Sequence, residues 1–270
     1  MKHSVDYFFS RRNFLKTGWG ALGGLAGSLL ASSAWAQALG MKTPRQTLGP
    51  FFPDEGDEVH EIRENLDFRL PISEANDNDL THIKGHEGTA EGQVIHLEGK
   101  VLFRWQGDAK PQPGAVIILW NAAASGRYNH RGDREATRFR HPETGQWVER
   151  THDEHFQYWG RCITDQEGRY SFKTVVPGFY PVDIENGWFR PPHLHFMVTA
   201  PGIPQLVTQL YFKGEAVPNN AFIQKLNARD LILRDPALTR EQQDSLIVEY
   251  RPSEKDPGVL IGNYDFMLSF

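Results

Sequence analysis

The first feature of this chain able to do chemistry is a pair of histidines one residue apart, His193 and His195. Successive side chains in a strand point to opposite faces, so this pair shares a face and can bind one metal ion from a rigid element. The double proline Pro191-Pro192 just upstream lacks backbone donors and is expected at the entry or edge of that strand. Arg190 precedes His193 by three residues and stays cationic at any working pH. An H-x-H pair also occurs on plain surface or packed strands, so its meaning depends on what else the chain supplies.

Two tyrosines stand where core packing does not ask for one. Tyr128 lies in the polar stretch Ser125-Gly126-Arg127-Tyr128-Asn129-His130, and Tyr180 in the turn-like Pro177-Gly178-Phe179-Tyr180-Pro181, upstream of His193. A phenol ordinarily loses its proton near pH ~10 and is a poor ligand unaided. A strongly charged metal removes that proton, much as it acidifies bound water. Two phenolates with two imidazoles form a hard, anionic donor set that suits Fe(III) better than Zn or Cu(I). Taken singly, each tyrosine reads equally as a turn-packing or surface residue.

The elements that must position these groups are strands. Val94–Phe103 reads as a strand pair or one long bulged strand, and Ala115–Trp120 is a continuous apolar run expected to be buried on both faces. Gly168–Thr174 follows a turn-rich Thr164-Asp165-Gln166-Glu167, and His193–Ala200 and Leu206–Phe212 flank Pro201-Gly202-Ile203-Pro204. Leu246–Arg251 and Val259–Leu268 complete the set, and Asp235–Leu246 is the best helix candidate. Short strands at this spacing predict an all-β protein, an antiparallel β-sandwich with long loops and one or two short helices. With 17 Pro, 25 Gly and 12% aromatic residues, composition agrees with strands joined by turns.

Three segments are expected. Residues 1–36 carry a twin-arginine pattern, Ser10-Arg11-Arg12-Asn13-Phe14-Leu15-Lys16, then a glycine-broken apolar run and Ala34-Trp35-Ala36 as the small-x-small cleavage signal. The apolar run is short for a stable span, so no membrane span is expected after cleavage. A periplasmic or secreted location follows, reached by export of the folded protein. Residues 37–90 read as an irregular N-terminal arm with Phe51 and Phe52 exposed, lying along the surface or closing a site or subunit contact. Residues 91–270 form the sandwich domain. Cys162 is alone, so no internal disulfide forms. Removing Lys2, Arg11, Arg12, Lys16 and Asp6 with the signal takes the net charge from −5 to near −8, which argues against nucleic acid or anionic membrane as partner.

The motifs together resemble the intradiol ring-cleaving dioxygenases, the protocatechuate type above all. The matching pieces are Gln46–Pro53, Pro113-Gly114-Ala115, Trp120-Asn121-Ala122, Gly126–His130, Gly160–Asp165, Gly168–Phe172, Pro177–Pro181, Arg190–Phe196 and Thr208–Phe212. They run in one order over roughly residues 43–215, which makes the resemblance far more specific than a lone motif. It implies a non-haem Fe(III) held by Tyr128, Tyr180, His193 and His195, with Arg190 beside the iron and Gln209 near the substrate pocket. It implies a catechol-type substrate and O2, ring opening to a muconate-type diacid, and release of the Tyr180 counterpart from the metal when substrate arrives. It also implies assembly with itself or with an alpha-type partner chain.

The chain departs from the family in two places. Val182 stands where the protocatechuate enzymes carry a tryptophan, and the stretch 131–158 is longer and more charged than expected, with Trp147, His152 and His155 placed near the implied pocket. His130, His152 and His155 read as surface loop histidines rather than ligands. Two other readings compete. One is an exported, non-catalytic β-sandwich that binds aromatics or carbohydrate. The other is a metalloenzyme in which His193 and His195 hold Cu or Fe(II) without phenolates.

Overall fold

A computed structural model describes residues 41–53, 76–130 and 132–270. The expected export signal, residues 54–75 of the arm and Arg131 lie outside the described residues. No helix among the described residues is long and apolar enough to cross a membrane.

Most strands join one curled sheet. These are β1 (Val94–Phe103), β2 (Lys110–Pro111), β3 (Val116–Trp120), β6 (Trp159–Ile163), β7 (Arg169–Val175), β10 (His193–Ala200), β11 (Ile203–Lys213), β12 (Ile247–Pro252), β13 (Leu260–Asn263) and β14 (Phe266–Leu268). The hydrogen-bonded order is β14-β1-β13-β12-β11-β10-β3-β6, with β2 and β7 also paired to β1. Two separate hairpins, β4 (Arg138–Arg140) with β5 (Trp147–Glu149) and β8 (Tyr180–Asp183) with β9 (Trp188–Arg190), stand off the sheet. Distant parts of the sheet face each other across the core: Phe196 of β10 lies 6.1 Å from Phe172 of β7 and 5.1 Å from Phe266 of β14, ring centre to ring centre. The sandwich is therefore a single sheet folded over on itself. Its pairings are mostly antiparallel, but β1 pairs parallel with β13 and β14, and β11 with β12.

Several sequence expectations are refined. Val94–Phe103 is one strand, whose first part pairs with β7 and β13 and whose last part pairs with β2 and β14. The partners change at Gly99, where any side chain would collide with the carbonyl oxygen of Tyr264. The run Val259–Leu268 divides into β13 and β14 because Asp265 turns its carboxylate to the Lys100 N–H (2.7 Å) at that same point. In β3, Ile117 and Leu119 are buried but Val116 and Ile118 only half-buried, so the strand is not closed on both faces. The expected helix over 235–246 shortens to Arg240–Ser245 (α2), started by a Thr239 cap that bonds reciprocally with Gln242. A second helix, Asn220–Arg229 (α1), has no Ser or Thr cap and few apolar residues to announce it; it buries Ile223, Leu226 and Asn227 on one face.

The arm is extended and tied to the sheet. Thr43 N–H donates to Met267 O (3.0 Å), Gln46 N–H to Val207 O (2.9 Å), and Thr208 Oγ1 to Pro44 O (2.7 Å). Further on, Leu80 N–H donates to Lys173 O (2.7 Å), and Lys173 N–H to Asn78 O (2.8 Å).

Candidate metal centre

β10 places the two histidines. Leu194 and Phe196 point into the sandwich core, and His193 and His195 to the other face, where each is 2% exposed. Across the ladder His195 faces Trp120 of β3 and Gln209 of β11, and His193 faces Tyr211 of β11. The Trp120 indole stacks on the His195 ring at 4.8 Å and 11°. Pro191 and Pro192 sit between β9 and β10, both buried. The Pro191 carbonyl accepts from His193 Nδ1 at 2.7 Å. A carbonyl can only accept, so Nδ1 carries the proton and the lone pair of Nε2 points into the site.

The tyrosines arrive from outside the sheet. Tyr128 lies on the loop after β3, and its N–H donates to Asp133 Oδ2 (2.7 Å). Arg150 grips the same carboxylate with Nη2 at 2.7 and 2.9 Å and bonds the Gly126 carbonyl at 2.7 and 3.0 Å. Tyr180 was expected in a turn and is instead the first residue of β8, directly opposite Arg190 of β9. Arg150 also lies over the Tyr180 ring, 5.2 Å from its centre.

These side chains converge. His193 Nε2 lies 3.1 Å from His195 Nε2 and 3.3 Å from the Tyr128 hydroxyl. The Tyr180 ring is 5.8 Å from both the Tyr128 and the His193 rings, centre to centre. Burial lowers the pKa of both histidines well below the usual value, and the Arg190 charge adds to that, so both imidazoles are neutral. Burial raises both phenols; the neighbouring Tyr180 oxygen adds to it at Tyr128, while Arg190 partly opposes it at each.

The donor set fits a ferric ion. The Nε2 atoms of two neutral imidazoles and two phenols crowd a buried point, while His195 Nδ1 has no partner among the described residues. Among those residues no group of three or more His, Cys, Asp and Glu side chains could hold a metal, so a cation here must draw on the phenols. Displacing protons held this firmly calls for a strongly polarising, hard cation.

Arg190 flanks the cluster and is almost wholly buried. Burial opposes its charge, but Asp230 together with the neighbouring Tyr211, Tyr180 and Tyr128 oxygens more than restores it. Gln209, expected near substrate, has both ends of its amide engaged: Oε1 accepts from Arg190 Nη2 (2.6 Å) and Nε2 donates to Thr47 O (2.9 Å).

The arm roofs this assembly. Phe51 lies 4.7 Å from Tyr128 and 6.3 Å from Tyr180, and Phe52 lies 4.8 Å from Trp120; both are half-buried rather than exposed. Gly49, at φ +77°, passes so close to His195 that a Cβ would stand 3.1 Å from the ring. Gln46 accepts from Tyr211 (3.0 Å).

The stretch 131–158 behaves differently from expectation. Phe139 and Val148 pack its hairpin against Phe179, Phe189, Phe222 and Leu226. Trp147 is half exposed, flanked by Arg138 and Arg140 at 4.3 and 4.0 Å from its ring. His130, His152 and His155 lie in loops and are half-buried, the His155 side chain 39% exposed. His152 lies behind Tyr128, 3.1 Å from its carbonyl and outside the donor cluster. Sequence reasoning missed Asp133, Arg150, Tyr211 and Asp230, none of which stands in a motif whose spacing marks it.

Fold and site together define a β-sandwich protein with a buried tyrosine–histidine donor cluster on one sheet face. A family profile described as dioxygenase matches residues 71–269. The chain is 35% identical over 140 residues to a protocatechuate 3,4-dioxygenase beta chain of Burkholderia cepacia, covering 52% of this chain and 53% of that protein. It is 29% identical over 145 residues to catechol 1,2-dioxygenase 2 of Acinetobacter lwoffii, covering 50% and 45%. It is 25% identical to the solved dioxygenase domain of a dioxygenase carbohydrate-binding protein fusion from Streptomyces sp. SirexAA-E, with a TM-score of 0.50, covering 85% of this chain and 99% of that one. The chain spans about half the length of the curated relatives it matches. It belongs to the intradiol ring-cleaving dioxygenase family.

Proposed function

We propose that this protein is an Fe(III)-dependent dioxygenase that opens a catechol-type ring between its two hydroxylated carbons. One O2 is consumed, and both of its atoms end in the muconate-type diacid. The observation that carries this reading is the meeting of the Tyr128 hydroxyl with the Nε2 atoms of His193 and His195. The catechol class rests on the relatives, which are named for catechol and protocatechuate.

Non-haem Fe(III) held by Tyr128, Tyr180, His193 and His195 would supply the Lewis acidity that favours loss of both catechol protons and the electronic route for reaction with O2. The remaining work falls to the chain itself. The neutral His193 and His195 present lone pairs without needing to shed a proton. Tyr180, whose phenol is raised by burial, is a strong base once ionised and takes a catechol proton at its own oxygen. Arg190 is a fixed cation on the same side and stabilises negative charge that grows on substrate oxygen as the ring opens. Phe51, Phe52 and Gly49 exclude water from above, which strengthens each of these interactions. The exposed Val182, beside Tyr180 on β8, leaves that flank open to a ring substituent.

The test is a visible spectrum of the iron-loaded protein before and after anaerobic addition of a panel of catechols. A red protein whose band moves to longer wavelength with one catechol supports the reading and names the substrate. A colourless protein that still binds aromatics sinks it in favour of a binding module.

Export by the twin-arginine route to the periplasm or exterior belongs to the same proposal, supported by Arg11-Arg12 and Ala34-Trp35-Ala36. A mature protein beginning at Gln37 is the expected outcome of N-terminal sequencing. The beta-chain name of the Burkholderia relative supports assembly with itself or with an alpha-type partner, which light scattering reads directly.

A further inference from the structure

We infer that Asp230 is the positioning residue of this site: it fixes the Arg190 guanidinium so that one nitrogen, Nη1, is presented to the substrate. Arg190 comes from the end of β9 and Asp230 from the end of α1, so nothing in the sheet ladder aligns them. They meet at 2.7 Å between Nε and Oδ2, with side chains 3% and 0% exposed. Beside Nε, Nη2 donates to Gln209 Oε1 (2.6 Å) and to the Tyr211 hydroxyl (3.2 Å). Among the described residues Nη1 has no hydrogen-bond partner. Held by three bonds at two of its three nitrogens, the planar fork is fixed in orientation, and the donors left on Nη1 face a single direction.

The two oxygens of Asp230 have separate duties. Oδ1 accepts from the backbone N–H of Leu233 (2.7 Å) and of Ile232 (3.2 Å), which shapes the chain leaving α1. Among the described residues Oδ2 serves Arg190 alone. A plain reading holds that Asp230 only secures this turn and balances a buried charge. The two readings separate at Asp230→Asn. Asparagine keeps an oxygen for Leu233 and Ile232 but sets an NH2 group against Arg190 Nε–H, donor against donor. The turn survives and the grip on Arg190 is lost. The Ile232 carbonyl is also held by Gln46 Nε2 (3.0 Å), which supports the turn from the arm.

The assignment deepens the proposed function and rests on it for its consequence in turnover, although the positioning itself is read without turnover. The Arg190 Nε–H signal in the nitrogen-15 NMR spectrum of the intact protein is expected to be downfield and slow to exchange. In Asp230→Asn it should move or broaden while the backbone spectrum stays folded. In the iron-loaded enzyme, Asp230→Asn should keep its iron and visible band, lose kcat about 10–100-fold and change KM little, because the loss falls on charge that grows only as the reaction proceeds. Asp230→Glu should recover part of that kcat. Combining Asp230→Asn with Arg190→Met should cost no more than Arg190→Met alone. An unmoved Nε–H signal, an unchanged kcat, or additive losses in the double variant would overturn the assignment. Should Arg190→Met fail to fold, the NMR comparison alone decides. A wild-type protein that opens no catechol would defeat the functional proposal while leaving the NMR result to judge Asp230.

Discussion

The two halves of the donor cluster are built by different means. The imidazoles stand on β10, a strand in mid-sheet whose other face carries Leu194 and Phe196 into the core. Their separation is set by strand geometry, and moving them means breaking the ladder. The phenols are held by polar side chains: Tyr128 through Asp133 and Arg150, Tyr180 through a small detached hairpin under the same Arg150. One half is stiff because the backbone is paired, the other only as stiff as a buried ion pair. The phenol half thus has no ladder to the main sheet.

That contrast can be broken most directly at the ligands. His195→Ala removes a donor that nothing else can replace, and activity should fall by more than about 100-fold, beyond the cost of losing a group that merely orients a ligand. Iron should be lost with it, read by metal analysis. Tyr128→Phe should retain more iron than His195→Ala, with its visible band shifted. Equal iron loss in the two variants would erase the distinction drawn here.

The next largest effect is expected at the clamp. Asp133→Asn leaves Arg150, 1% exposed, without its carboxylate. Removing one partner of a buried pair costs about 3–5 kcal/mol, measurable by denaturant unfolding. The visible band should broaden as Tyr128 and Tyr180 lose a single position. A variant as stable as wild type would show that the loop holds the phenols without the pair.

Acid and alkali should separate the halves in the iron-free protein. The folded histidines titrate below their unfolded value of about 6.5, so between the two values the unfolded chain holds more protons. Stability supplied by the neutral imidazoles is therefore present above that pH and lost as pH falls. The phenols are shifted up, so their contribution is present below about pH 10 and lost as pH rises past it. Melting temperatures across pH should drop at both ends, the acid fall shrinking in His193→Gln and the alkaline fall in Tyr128→Phe. The smallest effect is expected far from the site. Asp79, partly exposed and 3.1 Å from Lys173, should cost under about 1 kcal/mol as Asp79→Asn.

The imidazole half was legible in the sequence; of the phenol half, the tyrosines were legible but their supports were not. Alternation along His193-Leu194-His195-Phe196 carries both the metal face and the core face, because a strand has only two sides. Strand boundaries elsewhere followed apolar runs, and errors came where a side chain replaced a backbone partner, as Asp265 does between β13 and β14. Tyr128 and Tyr180 were singled out by their polar and turn-like contexts, and the resemblance then implied them as ligands beside the imidazoles. Asp133, Arg150 and Asp230 act across 17 to 40 residues of chain as lone charged residues in polar segments. A sequence presents such residues as solvated surface until folding buries them. Helix α1 went unseen for a related reason: its buried face includes Asn227, which donates to Phe212 O at 3.0 Å and looks polar on paper.

The tie between Thr43 and Met267, 224 positions apart, has a bearing on synthesis. A ribosome delivers the arm early and β14 much later, so this tie cannot form until β14 has been made. Before then the arm can still be held from β11, where Gln46 N–H donates to Val207 O and Thr208 Oγ1 to Pro44 O. The roof over His195 is thus secured in two stages, to β11 first and to β14 after it.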